Sequence, residues 1–150
     1  MNLIKLYEWL TGTQSQFTKP FQHDEVLYNQ ARLFWTQLDG TMVWIVMVML
    51  IISIGMAYIY YKPFNNMPGR HYTFKYWALF LFLTSIASGI ITYILEYYLC
   101  KPRLYGANSV EVCIAVANAL YSIVIFIVTS LAWCKFYPTS TNAYTWFKHA

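Results

Sequence analysis

The chain is short of charge. Asp, Glu, Lys and Arg make up 11% of its 150 residues, where a soluble domain carries about 25%. That is too little to coat a water-facing surface of this size. A disordered chain is excluded as well, because it needs high charge and low hydrophobicity. Catalytic signatures are missing: there is no HExxH, GxSxG, P-loop or GxGxxG, so the usual protease, hydrolase and nucleotide-binding motifs are absent. Cysteine is sparse. Cys100, Cys113 and Cys134 are widely spaced, without a CxxC and without a histidine near in sequence, so no zinc or redox motif is expected. A Cys100–Cys113 bridge needs the loop between them to face an oxidising compartment, and Cys113 lies a turn inside its helix. His23, His71 and His149 fall in three separate segments and read as solvated loop residues. Neither a metal nor a cofactor is expected.

Apolar and aromatic residues are abundant. Hydrophobic residues reach 59%, and aromatics 20% with 14 Tyr, 10 Phe and 6 Trp. The net charge of +4 needs no nucleic acid: no Lys/Arg stripe exists, and basic residues beside membrane spans give the same balance. The lipid bilayer is the expected surrounding.

Three apolar runs stand out. Residues 41–61 hold no charge, residues 76–99 hold only Glu96, and residues 110–133 hold only Glu111 at their start. Each exceeds the roughly 20 residues that cross a bilayer. The runs lack the alternation of a β-barrel. The expected fold is therefore an all-α membrane protein. Residues 1–39 form an N-terminal amphipathic or interfacial segment, residues 40–135 hold three transmembrane helices joined by short loops, and residues 136–150 form an aromatic tail. Within the N-terminal segment, residues 1–10 (MNLIKLYEWL) are too short to span and lack a signal-peptide cleavage site. They fit a helix lying on the membrane. Residues 11–21 read as a loop closed by Pro20. Asp24 and Glu25 open a second helical pattern, with acid at the favoured end of the helix dipole, and that pattern ends at Asp39–Gly40.

The loops 62–75 and 100–109 carry Pro and Gly, and loops this short make consecutive helices antiparallel neighbours. Tyr58, Tyr60, Tyr61, Tyr76, Trp77 and Trp133 at one end, and Trp35, Trp44, Tyr97, Tyr98 and Tyr105 at the other, read as aromatic belts. Orientation rests on basic residues close to the spans. Arg32, Lys101 and Arg103 lie on one side, against Lys62, Arg70, Lys75, Lys135 and Lys148 on the other. This places the N-terminus outside and the C-terminus inside.

Glu96 is the residue of greatest interest, because an ionisable group inside a span is costly. Ser85, Ser88, Thr92 and Glu96 recur at steps of three and four and share a helix face, with Gly89 beside them. Such a face either lines a pore or packs against another helix. In the packing case, Glu96 snorkels or pairs with Lys101 or Arg103. The third span offers Ala115, Asn118, Ala119 and Ser122 at helical spacing, a small and polar face suited to packing. Equal depth in an antiparallel hairpin pairs Thr92 with Asn118 and Ser88 with Ser122. Asn108 and Glu111 have the spacing of a capping box.

No catalytic site is expected. The reading is a non-catalytic small integral membrane subunit that assembles with itself or with other membrane protein subunits. One alternative is an oligomeric pore using the Ser85–Ser88–Thr92–Glu96 face, with Glu96 rings setting cation preference. Another is a membrane enzyme or transporter.

Overall fold

The structure, a computed structural model, describes residues 3–65, 67 and 74–136. The described residues are helical, with no strand among them. A 3-10 turn at Leu3–Leu6 leads into α1 (Glu8–Thr11) and α2 (Gln14–Thr18), and a second 3-10 turn spans Lys19–Phe21. Three long helices follow: α3 (Glu25–Ile59), α4 (Phe74–Leu99) and α5 (Ala107–Phe136). Each is long and apolar enough to cross a membrane. The all-helical class and the three long apolar helices agree with the sequence reading. The aromatic tail proper, residues 137–150, and most of the first loop lie outside the described residues.

Three local expectations are corrected. Residues 11–21 are mostly helical rather than a loop. The Thr13 backbone N–H donates to Gln16 Oε1 at 2.9 Å, half of a capping box that starts α2. Pro20 sits in the first turn of the second 3-10 segment, where its missing N–H costs nothing.

The second correction concerns α3, which does not stop at Asp39–Gly40. Asp24 caps it, with Oδ1 accepting from the N–H groups of Val26 at 2.9 Å and Leu27 at 3.2 Å. Its buried positions, Ala31, Phe34, Leu38, Met42 and Ile45, recur at steps of three and four. Asp39 and Gly40 both fall on the exposed side. One helical period therefore carries through them. A glycine at an exposed helix position costs only about 1 kcal/mol, too little to break a helix anchored on both sides.

The third correction is at the start of α5. Asn108 lies inside the helix and accepts from Arg103 Nη1 at 3.0 Å instead of capping. The helix is entered through Gly106 at φ +88°, a left-handed conformation open to glycine.

The chain divides into two compact units, Met1–Val48 with Gly89–Asn118 and Met49–Ser88 with Ala119–Ala150. The first packs the N-terminal segment onto its helices. Ile4 and Tyr7 are buried, and the Phe17 ring lies 5.5 Å from Phe34 and 5.6 Å from Trp35. Within residues 3–10, Ile4 and Tyr7 thus turn inward, and Trp35 is a core residue rather than a belt residue.

The second unit has an aromatic core of Tyr60, Tyr61, Trp77, Phe80 and Phe126 around Ala57. Phe64 and Phe80 meet at 4.9 Å, Trp77 and Phe126 at 5.7 Å, and Tyr61 stacks on Trp133 at 5.9 Å. The Trp77 indole N–H donates to Ser130 Oγ at 3.3 Å. Tyr60, Tyr61 and Trp77, read as a lipid belt, are interior. Pro63 lacks the N–H an α-helix would need, and the chain widens there into a π turn, Tyr60–Phe64. Tyr58, Trp44, Tyr97, Tyr98 and Tyr105 are exposed, as belt residues are.

Candidate functional site: a buried polar cluster

Within the first unit, α4 and α5 run antiparallel and bring their polar positions to equal depth. Asn118 is the hub. Its Nδ2 donates to Thr92 Oγ1 at 2.7 Å, and its Oδ1 accepts from the Tyr7 hydroxyl at 2.7 Å. A longer contact runs from Nδ2 to the Ile45 carbonyl at 3.5 Å. An amide in an apolar interior must find partners, and three segments of chain supply them here. The pairing of Thr92 with Asn118 follows the sequence reading. Tyr7 was not foreseen: a single tyrosine in an amphipathic run carries no sign of a partner 111 positions away.

Toward the second loop the cluster becomes ionic. Glu111 is fully buried and Arg103 is 32% exposed, with Nη2 and Oε1 3.5 Å apart. The Arg103 guanidinium also lies 3.4 Å from the Tyr97 ring centroid and donates to the Tyr97 carbonyl at 3.0 Å. Arg103 thus serves Glu111, not Glu96. Glu96 neither snorkels nor pairs: its side chain is 0% exposed. Both its oxygens lack a hydrogen-bond partner among the described residues, as does Oε2 of Glu111.

Cys100 closes the cluster. Its thiol is buried and faces Thr41 Oγ1 at 3.9 Å. Burial pushes the thiol pKa up to about 11, with the Glu96 and Glu111 charges adding to the rise and Thr41 and Arg103 opposing it. Lys101 contributes its backbone N–H to Gln37 Oε1 at 2.8 Å. Cys100, Cys113 and Cys134 are all free thiols, so no bridge links Cys100 to Cys113.

The remaining stripe residues belong to the second unit or to its border. Ser85 Oγ donates to the Ala119 carbonyl at 3.1 Å, and Ser122 Oγ donates to the same carbonyl at 2.7 Å. Ser88 is buried, but its hydroxyl has no partner among the described residues. Ser85 and Ser122 thus share one backbone acceptor, and no hydrogen bond joins Ser88 to Ser122 among the described residues. Gly89, in the first unit, is half-buried on α4. Among the described residues no three His, Cys, Asp or Glu come together as metal ligands. No family model, curated protein or solved structure matches the chain.

Proposed function

We propose that the chain is a non-catalytic integral membrane subunit that assembles with further copies of itself or with other membrane proteins. The observation that carries this reading is the division between the inside of the chain and its outward helix faces. Thr92, Asn118, Ser85 and Ser122 spend their polar groups on contacts within the chain. Meanwhile Val112, Val116, Leu120, Val124 and Val128 stand exposed at four-residue steps on α5, a ridge of the shape that seats between the ridges of another helix. The same reading keeps the N-terminus outside and the C-terminus inside.

The alternative is an ion-conducting oligomer, favoured by the unpartnered carboxyl of Glu96. Burial of Ser88, Thr92 and Glu96 inside one chain weighs against a pore lined by that face from several copies. A membrane enzyme or transporter has less to draw on, because the thiol of the cluster, Cys100, meets the Thr41 hydroxyl rather than a base among the described residues. Extraction in mild detergent followed by co-purification is the test. Recovery of a defined complex, homomeric or mixed, is the expected outcome. A lone monomer that passes ions when reconstituted in liposomes overturns the subunit reading in favour of conduction.

A further inference from the structure

The loop between α4 and α5 fixes a level on α3. The Lys101 backbone N–H donates to Gln37 Oε1 at 2.8 Å, and the Cys100 thiol faces Thr41 Oγ1 at 3.9 Å. Residues 25–36 of α3 therefore run on past the loop, for about 18 Å at 1.5 Å per residue. The uncharged run begins only at residue 41, so in the membrane reading this stretch stands beyond the lipid tails. Val26, Asn29, Leu33 and Thr36 are nevertheless exposed along it, and the same line continues through Gly40 and Val43. The steps are three, four, three, four and three, the repeat of a coiled-coil seam. At about 100° per residue, the seam lies opposite the buried face of Ala31, Phe34 and Leu38, so packing within the chain leaves it unused. A cavity of about 370 Å³ opens on it, lined by Asn29, Arg32, Leu33 and Thr36. These are positions i, i+3, i+4 and i+7, the four that form a hole for one knob of a facing helix.

We propose that this seam joins two copies of the chain, paired in parallel about a two-fold axis, with Leu33 of each copy seated in the hole of the other. The pairing rests on the assembly reading and names its partner and its surface. Copies in one membrane share an orientation, so a parallel pair is the arrangement open to them. A two-fold axis brings each position to the depth of its own counterpart, which puts knob and hole in one layer. Asn29 then meets Asn29 of the second copy, and an amide both donates and accepts. A single asparagine in such a seam fixes the register. The flanks are complementary in charge. Glu25 and Arg32 on one side face Gln30 and Gln37 of the second copy, whose amides can donate to a carboxylate and accept from a guanidinium. No like charges are opposed there. A Cβ at Gly40 would meet nothing within 4 Å in its own chain, and without a side chain the two backbones can approach closely.

The test uses the full-length protein in mild detergent micelles, with sedimentation equilibrium for mass and copper-catalysed oxidation for proximity. The unaltered chain should sediment as a dimer. Leu33→Cys and Thr36→Cys should each give about ten times more disulfide-linked pair than Leu27→Cys, which is exposed but off the seam. The unaltered chain, with its three free thiols, sets the background. Leu33→Lys changes a side chain exposed in the single chain, so thermal unfolding of the monomer should not move. It should raise the dimer dissociation constant about tenfold or more, because the pair would bury an ammonium in an apolar layer. A homomeric complex that ignores Leu33→Lys, or that links through Leu27→Cys as well as through Leu33→Cys, overturns the seam and leaves assembly standing. An unaltered chain that stays monomeric overturns the pairing, and recovery of a different membrane protein on co-purification then separates that failure from failure of the assembly reading.

Discussion

Asn118 shows how one amide organises a helical interior. It joins Tyr7 and Thr92 through two 2.7 Å bonds, so removing it strands both hydroxyls. Asn118→Leu should cost about 1–3 kcal/mol, the penalty of leaving buried polar groups unmade. Thr92→Val and Tyr7→Phe each remove a single bond and should cost nearer 0.6 kcal/mol, the average for such bonds between membrane helices. Reversible unfolding in mixed micelles measures all three, and equal losses would show that Asn118 is not the hub. Cys100 carries a second prediction. Because burial raises its thiol pKa to about 11, thiolate is scarce at neutral pH and alkylation is slow. Cys134, partly exposed just beyond the end of the third apolar run, should react first. The Cys100 rate should climb about tenfold per pH unit until the thiol itself titrates. The sign for stability follows: the folded thiol holds its proton more tightly than the unfolded one. Its contribution is therefore constant below the ordinary thiol pKa of 9.0 and falls as pH rises toward about 11.

At the scale of elements, a glycine inside one long helix and a glycine at the entry of another behave oppositely. A methyl group added at Gly40 meets nothing within 4 Å, and the residue is helical and exposed. Gly40→Ala should therefore stabilise α3 by about 0.5–1 kcal/mol. Gly106 also has open space around it, but its φ of +88° is a conformation a side chain resists by about 1–2 kcal/mol. Gly106→Ala should destabilise the start of α5 although no contact is lost. Thermal unfolding of the two variants should move the melting temperature in opposite directions. The length of α3 has its own consequence. Its 35 residues extend about 52 Å at 1.5 Å per residue, well beyond a hydrocarbon layer of about 30 Å. The charged first turns, with Glu25, Arg32 and Asp39, have room to lie outside that layer while residues 41–59 remain within it.

For the whole molecule, the exposed residues set the solvent. Val43, Met47, Ile51 and Ile54 on α3, Phe82, Ile86 and Ile90 on α4, and the valine ridge on α5 all face outward. Soluble monomers rarely expose contiguous apolar surface beyond a few hundred Å², and here exposed apolar side chains recur along each of the three long helices. The protein should stay in the membrane pellet through an alkaline carbonate wash and leave it only with detergent. Release by carbonate alone would mean peripheral attachment and would remove the transmembrane reading.

The all-helical class and the three long apolar helices were legible in the sequence because both depend on quantities summed along the chain. Uncharged runs longer than twenty residues leave few other structures open. The Thr92–Asn118 pairing was legible too, because a short loop fixes depth in a hairpin by simple counting. What only the tertiary structure decided were choices among partners. Arg103 goes to Glu111 rather than Glu96, Tyr7 reaches Asn118 across most of the chain, and Tyr60, Tyr61 and Trp77 turn inward instead of forming a belt. Local pattern places each of these residues at a depth and on a face. Which neighbour it meets depends on how helices distant in sequence are rotated against one another, and that rotation is set by packing of the whole interior.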